Sequence, residues 1–158
     1  MRATLAKILY AASGDAPRPS GAGGAEVAMV PRGGGFLTRV PVPDTLPAWL
    51  SEADLDFYVG EFARTGFRGG LNWYRNIDRN WELLAPFSGA RVTVPALYIA
   101  GDRDVVLAFA GVRDAIENLA KFVPQLRRTM ILPGCGHWTQ QERAAEVNAA
   151  MIDFLGRL

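Results

Sequence analysis

The sequence predicts an α/β chain in which a helical N-terminal part precedes two parallel strands with flanking helices. Apolar residues recur at helical spacing in three stretches, at residues 1–12, 51–66 and 70–82. Two short apolar runs, at 96–100 and 127–132, are bounded by glycine or proline and are each followed by a helical stretch. The order strand, helix, strand makes the two strands parallel, because a connection of this length has to cross over.

Composition excludes several classes of protein. The 158 residues hold 17 Lys and Arg, 16 Asp and Glu and one His, a net charge of +1 that offers no basic field for nucleic acid. The single cysteine, Cys135, excludes an internal disulfide, and the single histidine, His137, excludes a multi-histidine metal centre. No apolar run is long enough to span a bilayer, and the chain is expected to be cytoplasmic.

The N-terminal part is predicted to be helical apart from one long loop. Residues 13–47 include seven Gly and six Pro and show no periodicity, which predicts an irregular excursion. Ser51 and Asp54 form a candidate capping box at the start of the next helix, and Gly66 is its expected end. A further helix is predicted over 70–82, before Pro86 and Gly89.

The C-terminal part alternates strands and helices. The run ALYIA after Pro95 is the first strand, GDRD is its exit loop, and a helix is predicted over 106–122. The second strand covers 127–132, and the last helix covers 140–156 with Thr139 and Glu142 as a capping box. Two strands do not form a stable parallel sheet alone, so the chain is expected to be the end of a longer fold.

Polar residues follow both strands at the same edge of the predicted sheet. Asp102 and Asp104 follow the first strand, and His137 follows the second in the sequence Gly-Cys-Gly-His-Trp. An acid that precedes a histidine at the ends of late strands is the order found in α/β-hydrolases. Three simpler interpretations stay open: a structural His137, a helix-capping Asp104, and a Cys135–His137 pair.

Three blocks of this sequence resemble the C-terminal part of epoxide hydrolases of the α/β-hydrolase fold, of the soluble and microbial kind. They are GFRGGLNWYRNIDRNWE, PALYIAGDRDVV and CGHWTQQERAAEVN, and the resemblance runs from about residue 46 to residue 158. It implies residues 1–88 as a partial helical cap domain, with the Gly/Pro-rich loop at 13–47, and residues 89–158 as the C-terminal part of the hydrolase core.

The resemblance also implies roles for individual residues. In that family an Asp opens the epoxide and forms an ester, two cap tyrosines hydrogen-bond the epoxide oxygen, and a His–Asp pair activates water. Tyr74 matches the second cap tyrosine, Asp104 the acid and His137 the base, while Asp102 remains the alternative acid. Trp73 and Trp138 are candidate substrate-binding residues. Periodicity alone would place Tyr74 and the tryptophans in a core.

Other parts that the family requires are missing from this sequence. No Gly-x-Asp-x-Gly-like nucleophile elbow and no His-Gly-x-Pro oxyanion loop occur, and the first cap tyrosine would precede Met1. The expected function is therefore that of a C-terminal fragment, or a truncated gene product, of an epoxide hydrolase, and the chain is expected to be inactive alone. The alternatives are a fragment of a haloalkane dehalogenase or esterase, and a non-catalytic remnant that binds a partner.

The resemblance implies neither a cofactor nor a metal. The expected partners are a small epoxide substrate together with either the N-terminal half of the enzyme or a second copy of this chain. Self-association is expected because an open parallel edge and an uncovered apolar face both favour it. Neither nucleic acid nor a membrane is an expected partner.

Overall fold

The computed structural model describes residues 1–17, 40 and 42–158. Most of the Gly/Pro-rich segment predicted at 13–47 lies outside the described residues. The helices and strands, in chain order, are α1 Arg2–Ala11, α2 Glu52–Thr65, α3 Arg68–Arg75, α4 Ile77–Leu84, β1 Ala96–Gly101, α5 Val112–Glu117, α6 Leu119–Phe122, β2 Leu126–Leu132, α7 Thr139–Glu142 and α8 Ala144–Leu155.

Helices α1 and α2 pack against each other around one apolar cluster, whose buried members are Leu5, Ala6 and Leu55. The predicted capping box at the start of α2 is confirmed. The Ser51 hydroxyl accepts from the Asp54 N–H at 3.1 Å, and the Asp54 carboxylate accepts from the Ser51 N–H at 3.1 Å. The helix ends at Gly66 as predicted, where φ is +66°.

The helix predicted over 70–82 is wrong as a single element, because two helices, α3 and α4, replace it. The break lies at Asn76, whose side-chain Nδ2 donates to the carbonyl of Asn72 at 2.8 Å. A side chain that binds the backbone four residues earlier competes with the helical ladder and favours termination. Neither α3 nor α4 contains a buried residue.

Strands β1 and β2 pair in parallel, as predicted, with Gly101 opposite Leu132 at their carboxyl ends. The single helix predicted over 106–122 is wrong. A short 3₁₀ helix at Val105–Ala108 comes first, and α5 and α6 follow. Gly111 has a φ of +79°, a left-handed conformation through which a right-handed helix cannot continue. Between α5 and α6, Nδ2 of Asn118 donates to the carbonyl of Asp114 at 2.8 Å.

The helix predicted over 140–156 divides at Arg143, whose φ of −133° lies outside the helical region. The capping box predicted for Thr139 and Glu142 is also wrong, since Trp138 precedes the helix and the Thr139 hydroxyl donates to Gln140. Helix α8 covers the sheet through Val147, which is buried with Leu132 and Cys135.

The two apolar clusters have no residue in common. This separation agrees with a helical part followed by an α/β part, although the boundary between 1–88 and 89–158 stays a prediction. In the described part of the chain, no helix is long and apolar enough to cross a bilayer.

Candidate active site

The loops that leave β1 and β2 are joined by backbone contacts at one edge of the sheet. The Asp102 N–H donates to the carbonyl of Leu132 at 3.1 Å, and the Arg103 N–H donates to the carbonyl of Cys135 at 2.9 Å. Gly101 allows this approach, because a Cβ there would lie 2.1 Å from the carbonyl oxygen of Cys135. The first strand therefore ends against the loop that carries the histidine.

Asp104 and His137, which the sequence predicts at the same edge, meet there. Oδ1 of Asp104 lies 3.0 Å from Nδ1 of His137. An ionised carboxylate only accepts, so Nδ1 carries the proton and Nε2 keeps the free lone pair. The Asp104 side chain is 14% exposed and the His137 side chain 41% exposed. The pair thus presents an oriented imidazole that solvent can reach.

Asp104 also caps a helix, which is the simpler interpretation of this residue from the sequence. The same Oδ1 accepts from the N–H of Val106 at 2.9 Å, at the start of the 3₁₀ helix. The capping contact fixes the carboxylate, which supports the imidazole contact. Asp102 is engaged elsewhere, because its Oδ1 accepts from the N–H of Gly134 at 2.7 Å and holds the turn after β2.

Burial governs the ionisation of two neighbouring groups. Burial raises the pKa of the Tyr98 hydroxyl on β1, and the negative charge of Asp104 raises it further. Burial also raises the pKa of the Cys135 thiol to about 11, with a contribution from Glu142. Cys135 is 1% exposed, so its thiol is protonated at neutral pH and is a poor nucleophile. These properties argue against a Cys135–His137 pair.

The histidine loop is also tied to the end of α1, which sequence reasoning did not foresee. The His137 N–H donates to the carbonyl of Ala12 at 2.8 Å, and Nε1 of Trp138 donates to the carbonyl of Leu9 at 2.8 Å. The rings of His137 and Trp138 meet edge to face, with centroids 5.0 Å apart. Trp138 therefore borders the imidazole, while its indole N–H is already occupied.

The carboxylate of Glu142 completes these connections. It accepts from three backbone N–H groups, those of Gly14, Gly136 and Trp138. Sequence reasoning noticed Glu142 only as a capping residue. No local signal could have revealed the contact with Gly14, which lies 128 positions away.

Among the described residues, no hydrogen bond or ring contact joins the predicted site residues Tyr74 and Trp73 to Asp104 or His137. Tyr74 and Trp73 on α3 are 72% and 79% exposed, and the Tyr74 hydroxyl makes no hydrogen bond within the described residues. Trp73 lines a shallow surface depression with Asn72, Asn76 and Asn80. Residues 1–17 and 42–158 contain no group of three His, Cys, Asp or Glu residues that could hold a metal.

Comparison with known proteins gives a consistent result, although no family model matches the chain. Epoxide hydrolase A of Mycobacterium tuberculosis is 48% identical over 139 residues, covering 87% of this chain and 42% of that protein. Epoxide hydrolase 1 of Siraitia grosvenorii is 41% identical over 129 residues, covering 80% of this chain and 40% of that protein.

Solved structures extend the likeness to the fold. An epoxide hydrolase from an endophytic Streptomyces superposes with a TM-score of 0.88 at 42% identity, covering 98% of this chain and 45% of that one. Potato epoxide hydrolase I gives a TM-score of 0.79 at 34% identity, covering 99% of this chain and 46% of that one. The chain spans less than half the length of these relatives. By sequence and by fold, the chain matches the C-terminal part of epoxide hydrolases of the α/β-hydrolase fold.

Proposed function

We propose that this chain supplies the water-activating half of an epoxide hydrolase, which converts an epoxide and water into a vicinal diol through an ester intermediate. The observation that carries the proposal is the 3.0 Å contact between Nδ1 of His137 and Oδ1 of Asp104 at the sheet edge. The relatives named epoxide hydrolase support the same reaction.

In the proposed hydrolysis step, Nε2 of His137 accepts a proton from water as the water oxygen attacks the ester carbonyl. Asp104 stabilises the imidazolium that forms, through the proton on Nδ1. The tetrahedral intermediate then collapses, the bond to the diol oxygen breaks, and the imidazolium returns a proton to that oxygen. The collapse leaves the former ester carbon as a carboxylic acid, which releases its remaining proton to solvent and so regenerates the carboxylate.

In the proposed alkylation step, a carboxylate from outside this sequence attacks an epoxide carbon while the C–O bond breaks. Tyr74 donates its phenolic proton to the developing alkoxide as that bond breaks, and its phenolate takes up a proton from solvent before the next turnover. Its exposed hydroxyl, which has no hydrogen-bond partner among the described residues, is available for that purpose. We assign Trp73 and Trp138 to the walls of the substrate pocket, on the basis of their positions beside Tyr74 and His137.

The proposal requires an upstream partner. This sequence contains no nucleophile elbow, and it spans 42% of the length of Epoxide hydrolase A. Exposed apolar groups also support an upstream partner. Trp81 is 83% exposed, and an open groove beside β1 is lined by Leu97, Ile99 and Met151. We propose that a preceding half, such as the relatives have, covers these surfaces.

Haloalkane dehalogenases and esterases also use a histidine and an acid, so the pair alone does not distinguish the reactions. Two observations favour epoxides. The relatives reported above are named epoxide hydrolases, and the Asn-Trp-Tyr-Arg-Asn sequence puts a phenol at Tyr74, which the other two reactions do not need.

The test uses two proteins, the chain alone and the chain joined behind the upstream part of Epoxide hydrolase A, with diol formation from an aryl epoxide as the assay. The chain alone should give no diol, because it has no nucleophile to form the ester. The fusion should turn over.

In the fusion, His137→Gln should accumulate the ester, detected by mass spectrometry, because alkylation continues while water is not activated. Glu117→Gln, at an exposed position on α5, is the matched control and should turn over normally. A folded fusion without diol formation, or diol formation in which His137→Gln accumulates no ester, would refute the proposal.

A further inference from the structure

The three consecutive backbone N–H groups of the histidine loop all donate to acceptors outside the loop. Those of Gly136 and Trp138 reach the Glu142 carboxylate at 2.7 and 3.0 Å, and that of His137 reaches the carbonyl of Ala12 at 2.8 Å. Because all three N–H groups are hydrogen-bonded, the backbone dihedral angles on either side of His137 are restricted. Glu142 provides two of the three contacts.

The same carboxylate joins the loop to the segment after α1. Its Oε2 accepts from the Gly14 N–H at 2.9 Å as well as from Gly136, so one oxygen holds two chain segments together. The segments are in close contact, since a Cβ on Gly136 would lie 2.3 Å from the Gly14 nitrogen. Loss of the carboxylate would leave donors from both segments facing each other.

We propose that Glu142 is a positioning residue for His137. Its carboxylate holds the Gly136–Trp138 backbone against the segment that includes Gly14, so that Nδ1 of His137 faces Asp104 and Nε2 stays free. The purpose of this arrangement rests on the proposed function, in which Nε2 accepts a proton from water. The arrangement itself is a property of this chain and is tested without turnover.

A carboxylate suits this position in a way that an amide does not. Both oxygens of an ionised Glu accept, whereas a Gln has one accepting oxygen and one donating NH₂ group. In Glu142→Gln the NH₂ group faces either the Trp138 N–H or the two N–H groups of Gly14 and Gly136. One side of the contact is lost in each orientation, although the size of the side chain is kept.

The test reads the tautomer of His137 by long-range ¹⁵N–¹H NMR of the 158-residue chain, at a pH where the imidazole is neutral. His137 is the only histidine, so its signals need no assignment. The unsubstituted chain should hold the proton on Nδ1. Glu142→Gln should lose most of that preference and give mixed tautomers. Asp104→Ala, the positive control, removes the oxygen that accepts from Nδ1–H and should lose the preference as well.

The matched control is Glu146→Gln, whose carboxylate pairs with Arg143 and does not contact the histidine loop. It should leave the tautomer unchanged. An unchanged Nδ1–H population in Glu142→Gln would overturn the proposal, and a lower melting temperature alone would mean that Glu142 only stabilises the fold. Failure of the proposed function would instead appear as absent diol formation in the fusion, with the tautomer results unaffected.

Should Glu142→Gln not fold, Glu142→Asp decides the question. It keeps the charge but is one methylene shorter, so it cannot reach Gly14, Gly136 and Trp138 together. We expect Glu142→Asp to have a smaller Nδ1–H population than the unsubstituted chain. An Nδ1–H population equal to that of the unsubstituted chain would overturn the proposal.

Discussion

Gly101→Ala tests the close approach of the two loops that carry Asp104 and His137. Gly101 ends β1, and a Cβ there would lie 2.1 Å from the carbonyl oxygen of Cys135 and 2.4 Å from that of Gly136. Both obstacles are backbone, so no side chain can rotate out of the way. The histidine loop would have to retreat by roughly 1 Å to restore ordinary contact distances.

The expected cost follows from two effects. Forcing extra volume into a packed site costs about 1–3 kcal/mol. Retreat of the Cys135 carbonyl also weakens its contact with the Arg103 N–H, which adds about 1 kcal/mol. The free energy of unfolding should therefore fall by about 2–4 kcal/mol, which for a chain of this size lowers the melting temperature by about 4–16 °C.

The assay is thermal unfolding followed by circular dichroism, with Gly60→Ala as the matched control. Gly60 lies within α2, and a Cβ there meets no atom within 4 Å. Because alanine favours a helix over glycine, the control should raise the free energy of unfolding by about 0.5–1 kcal/mol. A melting temperature for Gly101→Ala within a degree of the unsubstituted chain would refute the close approach, and an equal loss in the control would show a general effect of glycine replacement.

Three further predictions concern single side chains. In the fusion, Tyr74→Phe should slow alkylation by up to about 10²–10³-fold, as for loss of one transition-state donor. The melting temperature should not change, because phenylalanine keeps the ring and removes only the hydroxyl. Stopped-flow kinetics and calorimetry measure the two effects, and a lower melting temperature with unchanged alkylation would make Tyr74 a packing residue. Cys135 should resist iodoacetamide below about pH 11, because folding raises the pKa of its thiol from 9.0 to about 11. As the pH rises from 9 to 11, the thiol ionises in the unfolded chain before it does so in the folded chain, so the free energy of unfolding should fall. Rapid alkylation of the native chain at pH 8 would contradict this prediction. Trp138→Phe, which keeps a ring but loses the contact with the Leu9 carbonyl, should cost about 0.5–1.5 kcal/mol in a denaturant titration, whereas no loss would mean that the indole contact carries no stability.

Local signals in the sequence predicted the elements well where one interaction dominates. The Ser51–Asp54 capping box and the Gly66 terminus lie within a few residues of each other, and both form as predicted. Helix continuity was predicted poorly, because it depends on side chains that compete for backbone groups. Asn76 and Asn118 each bind a carbonyl four residues earlier and end a helix within an uninterrupted apolar pattern.

The candidate site divides in the same way. That Asp104 and His137 would meet followed from the rule that parallel strands present their carboxyl ends at one edge. The contacts with α1 and the segment after it did not follow, because the Ala12 carbonyl and the Gly14 N–H are distant in sequence from His137 and Glu142. The Glu142 carboxylate and the carbonyl of Ala12 hold the histidine loop through backbone atoms, and backbone contacts leave no residue pattern to detect.

The two halves of the proposed chemistry differ in what this chain provides for them. The Asp104–His137 pair is fixed by contacts within the chain: the Gly101–Leu132 register sets the loops side by side, and Glu142 holds the histidine loop. Tyr74 lies on a helix without buried residues, so nothing in the described part of the chain fixes the direction of its phenol. An upstream half that completes the enzyme therefore has to position the phenol as well as supply the nucleophile, whereas it meets an acid–base pair that is already formed. Ester hydrolysis should accordingly tolerate changes at the junction between the two halves better than alkylation does.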